Sequence, residues 1–291
     1  MNKDNDNFYM RLFKNNWIYI LWFIIYFSFT ISFLGGGGGG FAVALVLYAI
    51  SISIALSPLG EVILRFFEKV RPLYTKQEKE FLNPVFQDVY NKVTAKYPKL
   101  KAVEMCVVDT IAINACAIGR KTVAVTKGAM ETFSEEELKA LIAHEFAHIL
   151  NGDTIATLLT TIGNGIFTVF VLILQGALLL IDYIEKKETN MWKWVRFLVT
   201  VFILYIMFIS SVIISINSRK NEYIADEFVY NMGYGRDMVE ALYLLEKISL
   251  GENRHVIARM SSSHPNIAKR IGLLEELIDK EANEDYEMYD F

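Results

Sequence analysis

The sequence predicts a mainly α-helical integral membrane protein. Four apolar spans, paired in two hairpins, interrupt a polar α+β domain with a small β-sheet. Three observations lead there. Hydrophobic residues make up 53% of the 291, and mean hydropathy is +0.30, too apolar for a surface that meets only water. The apolar residues gather in runs at 17–34, 41–56, 155–181 and 194–216, near or above the roughly 20 residues that cross hydrocarbon as a helix. The stretches between them are mixed in charge and switch between helical and strand periodicity.

Residues 1–58 are read as a polar tail and the first hairpin. Trp17 to Leu34 holds 18 residues without a charge, longer than the core of a secretory signal and lacking a small-residue cleavage site. Trp17, Tyr19 and Trp22 suit the membrane interface. Gly35 to Gly40 are six glycines in a row, read as a flexible turn because glycine loses most entropy in a helix. No Lys-Ser/Thr follows them, so a phosphate loop is not indicated. Phe41 to Leu56 forms the second span, ended by Pro58.

Residues 59–154 form the first part of the polar domain. Helical periodicity runs through Phe81, Val85, Val89 and Val93, then strand patterns at 103–108, 114–118 and 122–126 with turn residues between. Ser134 with Glu137 is a capping box, and Asn151-Gly152-Asp153 closes the helix it opens. Residues 155–216 are the second hairpin, broken by the connector 182–193 with three acids and three bases; Arg196 can snorkel to the interface. Residues 217–280 complete the polar domain, with a helix through Leu242, Leu245 and Ile248 and a last helix begun by Pro265. The acidic tail 281–291 is expected to be disordered.

Net charge is −4 and no long basic block occurs, which excludes a nucleic-acid partner. Cys106 and Cys116 lie in apolar runs without CxxC spacing and read as packing residues. Four spans put both chain ends on one side of the bilayer. Lys3, Arg11, Lys14, Arg65, Lys69, Arg71, Arg219 and Lys220 cluster there, so the polar domain is placed in the cytoplasm. The three lysines of 182–193 count weakly against this, unless the second hairpin is shallow or lines a cavity.

The chain has four histidines, and two stand in His144-Glu145-Phe146-Ala147-His148. At i and i+4 they share a helix face and can converge on one metal ion. An amphipathic helix with incidental histidines is the bland alternative. A catalytic zinc takes three protein ligands and a water. Glu222, which opens the helix after the fourth span, is the candidate third ligand, against a plain helix-start acid. Asp226, four residues on, can reach the outer nitrogen of a ligand histidine. Glu145 is then the general base that takes a proton from a metal-activated water and delivers it to a leaving amine. His264, in a serine-rich loop, is the candidate donor to the oxyanion, and Arg270 either assists it or holds a substrate carboxylate. His255 reads as a surface residue. The strand around Asn114 can serve as an edge that pairs with an extended peptide.

Taken together, these segments resemble the HtpX-type membrane zinc metalloproteases, of the gluzincin group and related to CAAX prenyl proteases. The matching pieces are Asn114-Ala115-Cys116-Ala117-Ile118-Gly119, the His144–His148 motif with Asn151-Gly152-Asp153, Ser218-Arg219 with Glu222 and Ala225-Asp226, and Ser263-His264-Pro265 with Arg270. The resemblance covers about 60–280 and implies a zincin-like α+β catalytic domain. It also implies one zinc ion at His144, His148 and Glu222, with Glu145 as base and Asp226 orienting. His264 and Arg270 would act on the transition state or substrate. It further implies an endopeptidase at the cytoplasmic face of the cell membrane, acting on polypeptides, damaged membrane proteins among them, in a stress response. Cys116 departs from it, standing where an aromatic is usual, and the six glycines are no general feature.

Three other readings compete. A processing protease with one dedicated substrate shares all these residues. A catalytically dead scaffold conflicts with the complete ligand and base set. A transporter conflicts with the lack of a charge in the middle of any span.

Overall fold

In the computed structural model, residues 17, 19–21, 23–28, 30–31, 37–100, 102–162, 219–250 and 267–289 are described, together with scattered positions between 173 and 205. The chain divides into two compact units, one drawn from 62–155 and 218–291, the other from 16–61 and 156–217.

The second unit contains α1 (Gly37–Leu56). Among the described residues it is the one helix long and apolar enough to cross a membrane, its 20 residues spanning about 30 Å. Its buried seam is Gly40, Ala44, Tyr48, Ser51 and Ala55, mostly small residues that allow close helix approach. Tyr48 stands edge-on to Phe23 and Phe27, 4.8 and 5.2 Å between centroids. The flexible turn expected over Gly35 to Gly40 is corrected for its described part: Gly37 to Gly40 form the first turn of α1, with Gly37 at φ 63, and Gly35 and Gly36 lie outside the described residues. The apolar run behind them supplies the helix, and Gly40 is buried in the seam, so packing offsets the entropy lost. The first predicted span is described as helical over most positions between 17 and 31, with a shorter apolar helix at Tyr19–Ser28, and the third and fourth fall mostly outside the described residues.

Helix α2 (Pro58–Phe67) begins at the proline that ends α1. Strand β1 (Val70–Pro72) follows, then α3 (Lys76–Lys96), opened by a capping box between Thr75 and Glu78. The strands β2 (Glu104–Val108), β3 (Ala115–Ile118) and β4 (Thr122–Thr126) fall where strand periodicity placed them. The short β1 was not legible. Sheet order is β1-β2-β4-β3, with β2 and β4 parallel and the outer pairs antiparallel. All five residues of β4 are buried, as a central strand covered on both faces requires. Helices α4 (Lys127–Thr132) and α5 (Glu135–Asn151) come next. The short apolar α6 (Asp153–Ile162) follows. Later come α7 over 219–231, α8 (Gly235–Leu250) and α9 (Ile267–Tyr289).

The core of the first unit joins one sheet face (Met105, Val107, Val123, Val125) to α3, α5, α7, α8 and α9. The disordered tail expected after Lys280 is corrected too: α9 runs on to Tyr289. Tyr230 donates to Glu281 at 2.9 Å, and Glu, Ala and Met sustain a helix.

Arg71 ties the sheet edge to α3. Its guanidinium donates to Glu78 at 2.7 and 3.1 Å and to Asp109, which Lys127 also reaches at 2.7 Å. The hydrogen bonds from Arg71 lower the Glu78 pKa from 4.5 to about 2, and hold Asp109 well below its ordinary range. Depressed carboxyl pKa values mean stability fully present above the ordinary carboxylate range and lost as pH falls through the folded values. Unfolding followed between about pH 5 and pH 2 should therefore show a steep loss of stability. That slope should shrink in Glu78→Gln; an unchanged slope would count against this pair.

Candidate active site

Helix α5 is shaped to hold its motif at a set depth. Ser134 caps it: Glu137 N–H donates to Ser134 Oγ at 3.3 Å, and Ser134 N–H donates to Glu137 Oε2 at 2.7 Å. Three acids in the first turn suit the helix dipole. At the other end Gly152 sits at φ 82, a left-handed position where a Cβ is costly. Apolar neighbours surround the last three turns, so the polar motif residues are carried inside: His144 is 1% exposed, Glu145 3% and His148 9%.

The two imidazoles stand edge to face, 4.8 Å between centroids, with their Nε2 atoms 3.2 Å apart. Helix α7 brings Glu222 to the same point. Its Oε2 lies 3.3 Å from His144 Nε2 and its Oε1 3.5 Å from His148 Nε2. Among the described residues this is the one group of three such side chains close enough to hold a metal ion.

The outer nitrogens are held as well. His144 Nδ1 lies 3.1 Å from Asp226 Oδ1, and His148 Nδ1 lies 2.8 Å from Asp153 Oδ2. A carboxylate at Nδ1 keeps the proton there and leaves the Nε2 lone pair facing the shared point. Asn221 Nδ2 in turn donates to Asp153 Oδ1 at 2.8 Å. Arg270, from α9, donates to both Asp226 oxygens at 2.7 Å, and its Nη1 lies 2.9 Å from Glu222 Oε2.

Burial, and then the Arg270 cation, oppose a charge on His144, but Asp226 and Glu222 outweigh them and its pKa is raised. Burial opposes a charge on His148 likewise, and Asp153 and Glu222 carry its pKa well above the ordinary value. Asp226 moves the other way: burial would raise it, yet Arg270 and His144 hold it down.

The donor set fits a divalent ion on two counts. Tetrahedral ligands at zinc–nitrogen distance stand about 3.3 Å from one another; the two Nε2 atoms are 3.2 Å apart, and each has a different Glu222 oxygen at 3.3 or 3.5 Å, one donor atom from each residue lying within 4.8 Å of the others. Second, among the described residues Glu145, Glu222 and Asp226 are nearly fully buried with one buried guanidinium, Arg270, so that with both imidazoles neutral at Nε2 the buried charge is negative in surplus. A surplus of buried negative charge is costly unless a cation balances it.

Beside the motif lies an apolar pocket lined by Ile113, Phe133, Leu141, Met238, Leu242 and Leu245, with Asn114, His144, Glu145 and Arg270 also in its wall. Strand β3 ends the sheet, so among the described residues its outer side is an open edge. Thr126 N–H donates to Asn114 C=O and Asn114 N–H donates to Thr126 Oγ1, both at 3.0 Å. Antiparallel alternation then turns the backbone groups of Ala115 and Ala117 outward. The expectation for Asn114 is thus sharpened: its backbone is committed to β4, and the next residues present the edge. Burial of the Cys116 thiol, then the charge of Glu145, push its pKa up, so it stays a neutral packing group.

Of the site residues read from the sequence, the structure brings together His144, Glu145, His148, Glu222, Asp226 and Arg270, with Asn114 in the adjoining pocket wall. Arg270, expected to assist the oxyanion donor or hold a substrate carboxylate, is 2% exposed in the pocket wall, with its guanidinium on Asp226 and Glu222. His264 and His255 lie outside the described residues. Sequence reasoning missed Asp153 and Asn221. The signal for Asp153 was present, an acid directly after the helix-closing Gly152, but a helix end gives no direction for its side chain.

The sequence model of peptidase family M48 matches residues 76–278. The chain belongs to peptidase family M48. Among its relatives, a Protease HtpX homolog of Prosthecochloris aestuarii (strain DSM 271 / SK 413) is 31% identical over 184 residues, covering 56% of this chain and 62% of that protein. A Protease HtpX homolog of Janthinobacterium sp. (strain Marseille) is 31% identical over 170 residues, 53% of this chain and 58% of its own length. Protease HtpX of Shewanella sp. (strain W3-18-1) is 27% identical over 203 residues, 62% of this chain and 70% of its own. The chain thus spans about three fifths of the first two relatives it matches. A crystal structure of S. mikatae Ste24p aligns over 88% of this chain and 61% of that one, with TM-score 0.47 and 20% identity. The HtpX-type resemblance read from the residues is borne out by the family match and these relatives, and the M48 match takes in the whole cluster from His144 to Arg270.

In this M48 site Arg270 is the only cation set between two buried carboxylates among the described residues. Replacing it by Met should destabilise the protein by roughly 3–5 kcal/mol, the cost of leaving a buried charge without its partner. Denaturant unfolding in detergent would measure this, and a loss below about 1 kcal/mol would show the pair to be expendable.

Proposed function

We propose that this protein is a zinc-dependent endopeptidase embedded in the cell membrane, with its site facing the cytoplasm. The observation that carries the reading is the convergence of His144 Nε2, His148 Nε2 and Glu222 beside the buried carboxylate of Glu145. His144, His148 and Glu222 would hold one zinc ion per chain. When bound, it supplies a Lewis acid that makes a water nucleophilic at neutral pH and polarises a peptide carbonyl.

The chain's own residues do the rest. Glu145, between the two ligands and in the pocket wall, takes a proton from the attacking water and delivers it to the departing amine. Asp226 and Asp153 hold the rings in the Nδ1–H tautomer. Arg270 orients Glu222 and Asp226 from the pocket wall. His264 remains the proposed donor to the oxyanion. The outward backbone groups of Ala115 and Ala117 suit an extended peptide added to the sheet edge. The apolar pocket containing Asn114 suits a substrate side chain.

Four spans, about 17–34, 41–56, 155–181 and 194–216, complete the proposed architecture, with the catalytic domain formed from 59–154 and 217–280. Its substrates are polypeptides, damaged or misfolded membrane proteins foremost, as the wider HtpX resemblance implies. A processing protease with a dedicated substrate would use the same residues and differ only in the range of sequences cut.

Glu145→Gln should keep its zinc by metal analysis and lose cleavage of an unfolded membrane substrate by at least about 100-fold, the scale of a lost general base. Glu222→Ala should lower zinc occupancy. Full activity in the first variant, or full occupancy in the second, would sink the assignment. For topology, a protease added from the cytoplasmic side of sealed vesicles should leave the 182–193 connector intact. Cleavage from that side would mean that the second hairpin does not cross.

A further inference from the structure

Helix α2 wears its polarity inside out. At 100° per residue, Leu59, Val62, Ile63, Phe66 and Phe67 share one arc, and Gly60, Glu61, Leu64, Arg65 and Glu68 share the opposite one. The second arc is the inner one through Gly60, Glu61, Leu64 and Arg65, while Glu68, just past the helix end, is exposed. Gly60 and Leu64 are buried there. Arg65 lies 3.0 Å from Glu104 and donates to Cys106 Sγ at 3.2 Å, which pins the helix to β2. The apolar arc faces out: Leu59 is 54% exposed, Val62 58%, Phe66 78% and Phe67 73%.

In water this orientation is unfavourable, since four large apolar side chains stay wet while Glu61 and Arg65 are half-buried. A surface helix of a water-soluble protein shows the reverse pattern. The chain itself says what covers the outer arc. Pro58 opens α2 two residues after Leu56, the end of the one described helix able to cross a bilayer. A helix starting that close to a membrane exit lies within reach of the headgroup layer, where Leu and Phe on one face are the signature of an in-plane helix.

We propose that the outer arc of α2, carried by Val62, Phe66 and Phe67, is a bilayer-docking surface that lies in the headgroup–acyl boundary. Arg65 fastens the sheet to its inner side. The proposal rests on the reading that α1 spans the membrane.

The test uses the full chain in phosphatidylcholine–phosphatidylglycerol vesicles. A nitroxide is placed at Val62→Cys, Phe66→Cys or Phe67→Cys, with Val46→Cys on α1 as the reference. Wild type carried through the same labelling sets the background from Cys106 and Cys116. Collision with oxygen, which partitions into lipid, is compared with collision with a water-soluble nickel chelate. The expected result is oxygen dominance at Val46 and, less deeply, at Val62, Phe66 and Phe67. Chelate dominance at the three α2 positions, with Val46 still in lipid, overturns the proposal and leaves the span intact. Chelate dominance at Val46 overturns the span and the proposal with it. Dipolar broadening between labels at Phe66 would assign the face to a second copy and also overturns it. Should a cysteine variant misfold, Phe66→Asp with Phe67→Asp gives a second reading: wild-type protection of Arg65 and Lys69 from trypsin in vesicles should be lost. Unchanged protection would refute the docking.

Discussion

A surplus of buried negative charge organises the centre of this molecule. Glu145, Glu222 and Asp226 lie out of water with one buried guanidinium among them. Each carboxylate carries a desolvation cost that only hydrogen bonds and opposite charge can offset. Arg270 neutralises part of it from α9, reaching Asp226 with two donors and Glu222 with a third. The remainder is matched by imidazole donors at Nδ1 and, in the proposed reading, by a divalent ion at the Nε2 side. The arrangement explains why three distant segments must pack together: α5, α7 and α9 each bring charges that are tolerable only in the others' company.

The scaffold around that centre does two further things. It buries residues 140–149 of α5 all round, which holds the histidines in a fixed relation to Glu222. It also ends the sheet at β3, close enough that Ala115 lies in the wall of the same pocket as Glu145. A backbone edge and a proton acceptor side by side are what peptide hydrolysis needs geometrically. The Arg71 cluster, at the opposite edge of the sheet, clamps the segment that leads from β2 toward β3 through Asp109.

Much of the site was legible in the chain because helical spacing is local. Residues at i and i+4 share a face whatever the fold, so His144 and His148 could be paired on sight, and Glu222 with Asp226 likewise. Ser134 and Glu137 announced the start of the helix for the same reason. Asp153 was visible as a helix-closing residue, but its reach to His148 depends on the left-handed turn at Gly152. Arg270 was visible as a residue of interest, but its carboxylate partners were not: they come from a helix 44 residues away in the chain, as its bonds to Asp226 show.

What the sequence by itself determined was therefore everything with a short period. That covers the helix carrying the motif, the strands at 104–108, 115–118 and 122–126, the apolar α1, and the pairing of each set of ligands within its own turn. What only the tertiary structure decided was which charges meet. Side-chain electrostatics act through a few ångströms of space, and distances of that size between α5, α7 and α9 are set by core packing. The helical state of Gly37 to Gly40 belongs with these: local entropy argues for a loop, and burial of Gly40 in the α1 seam decides otherwise.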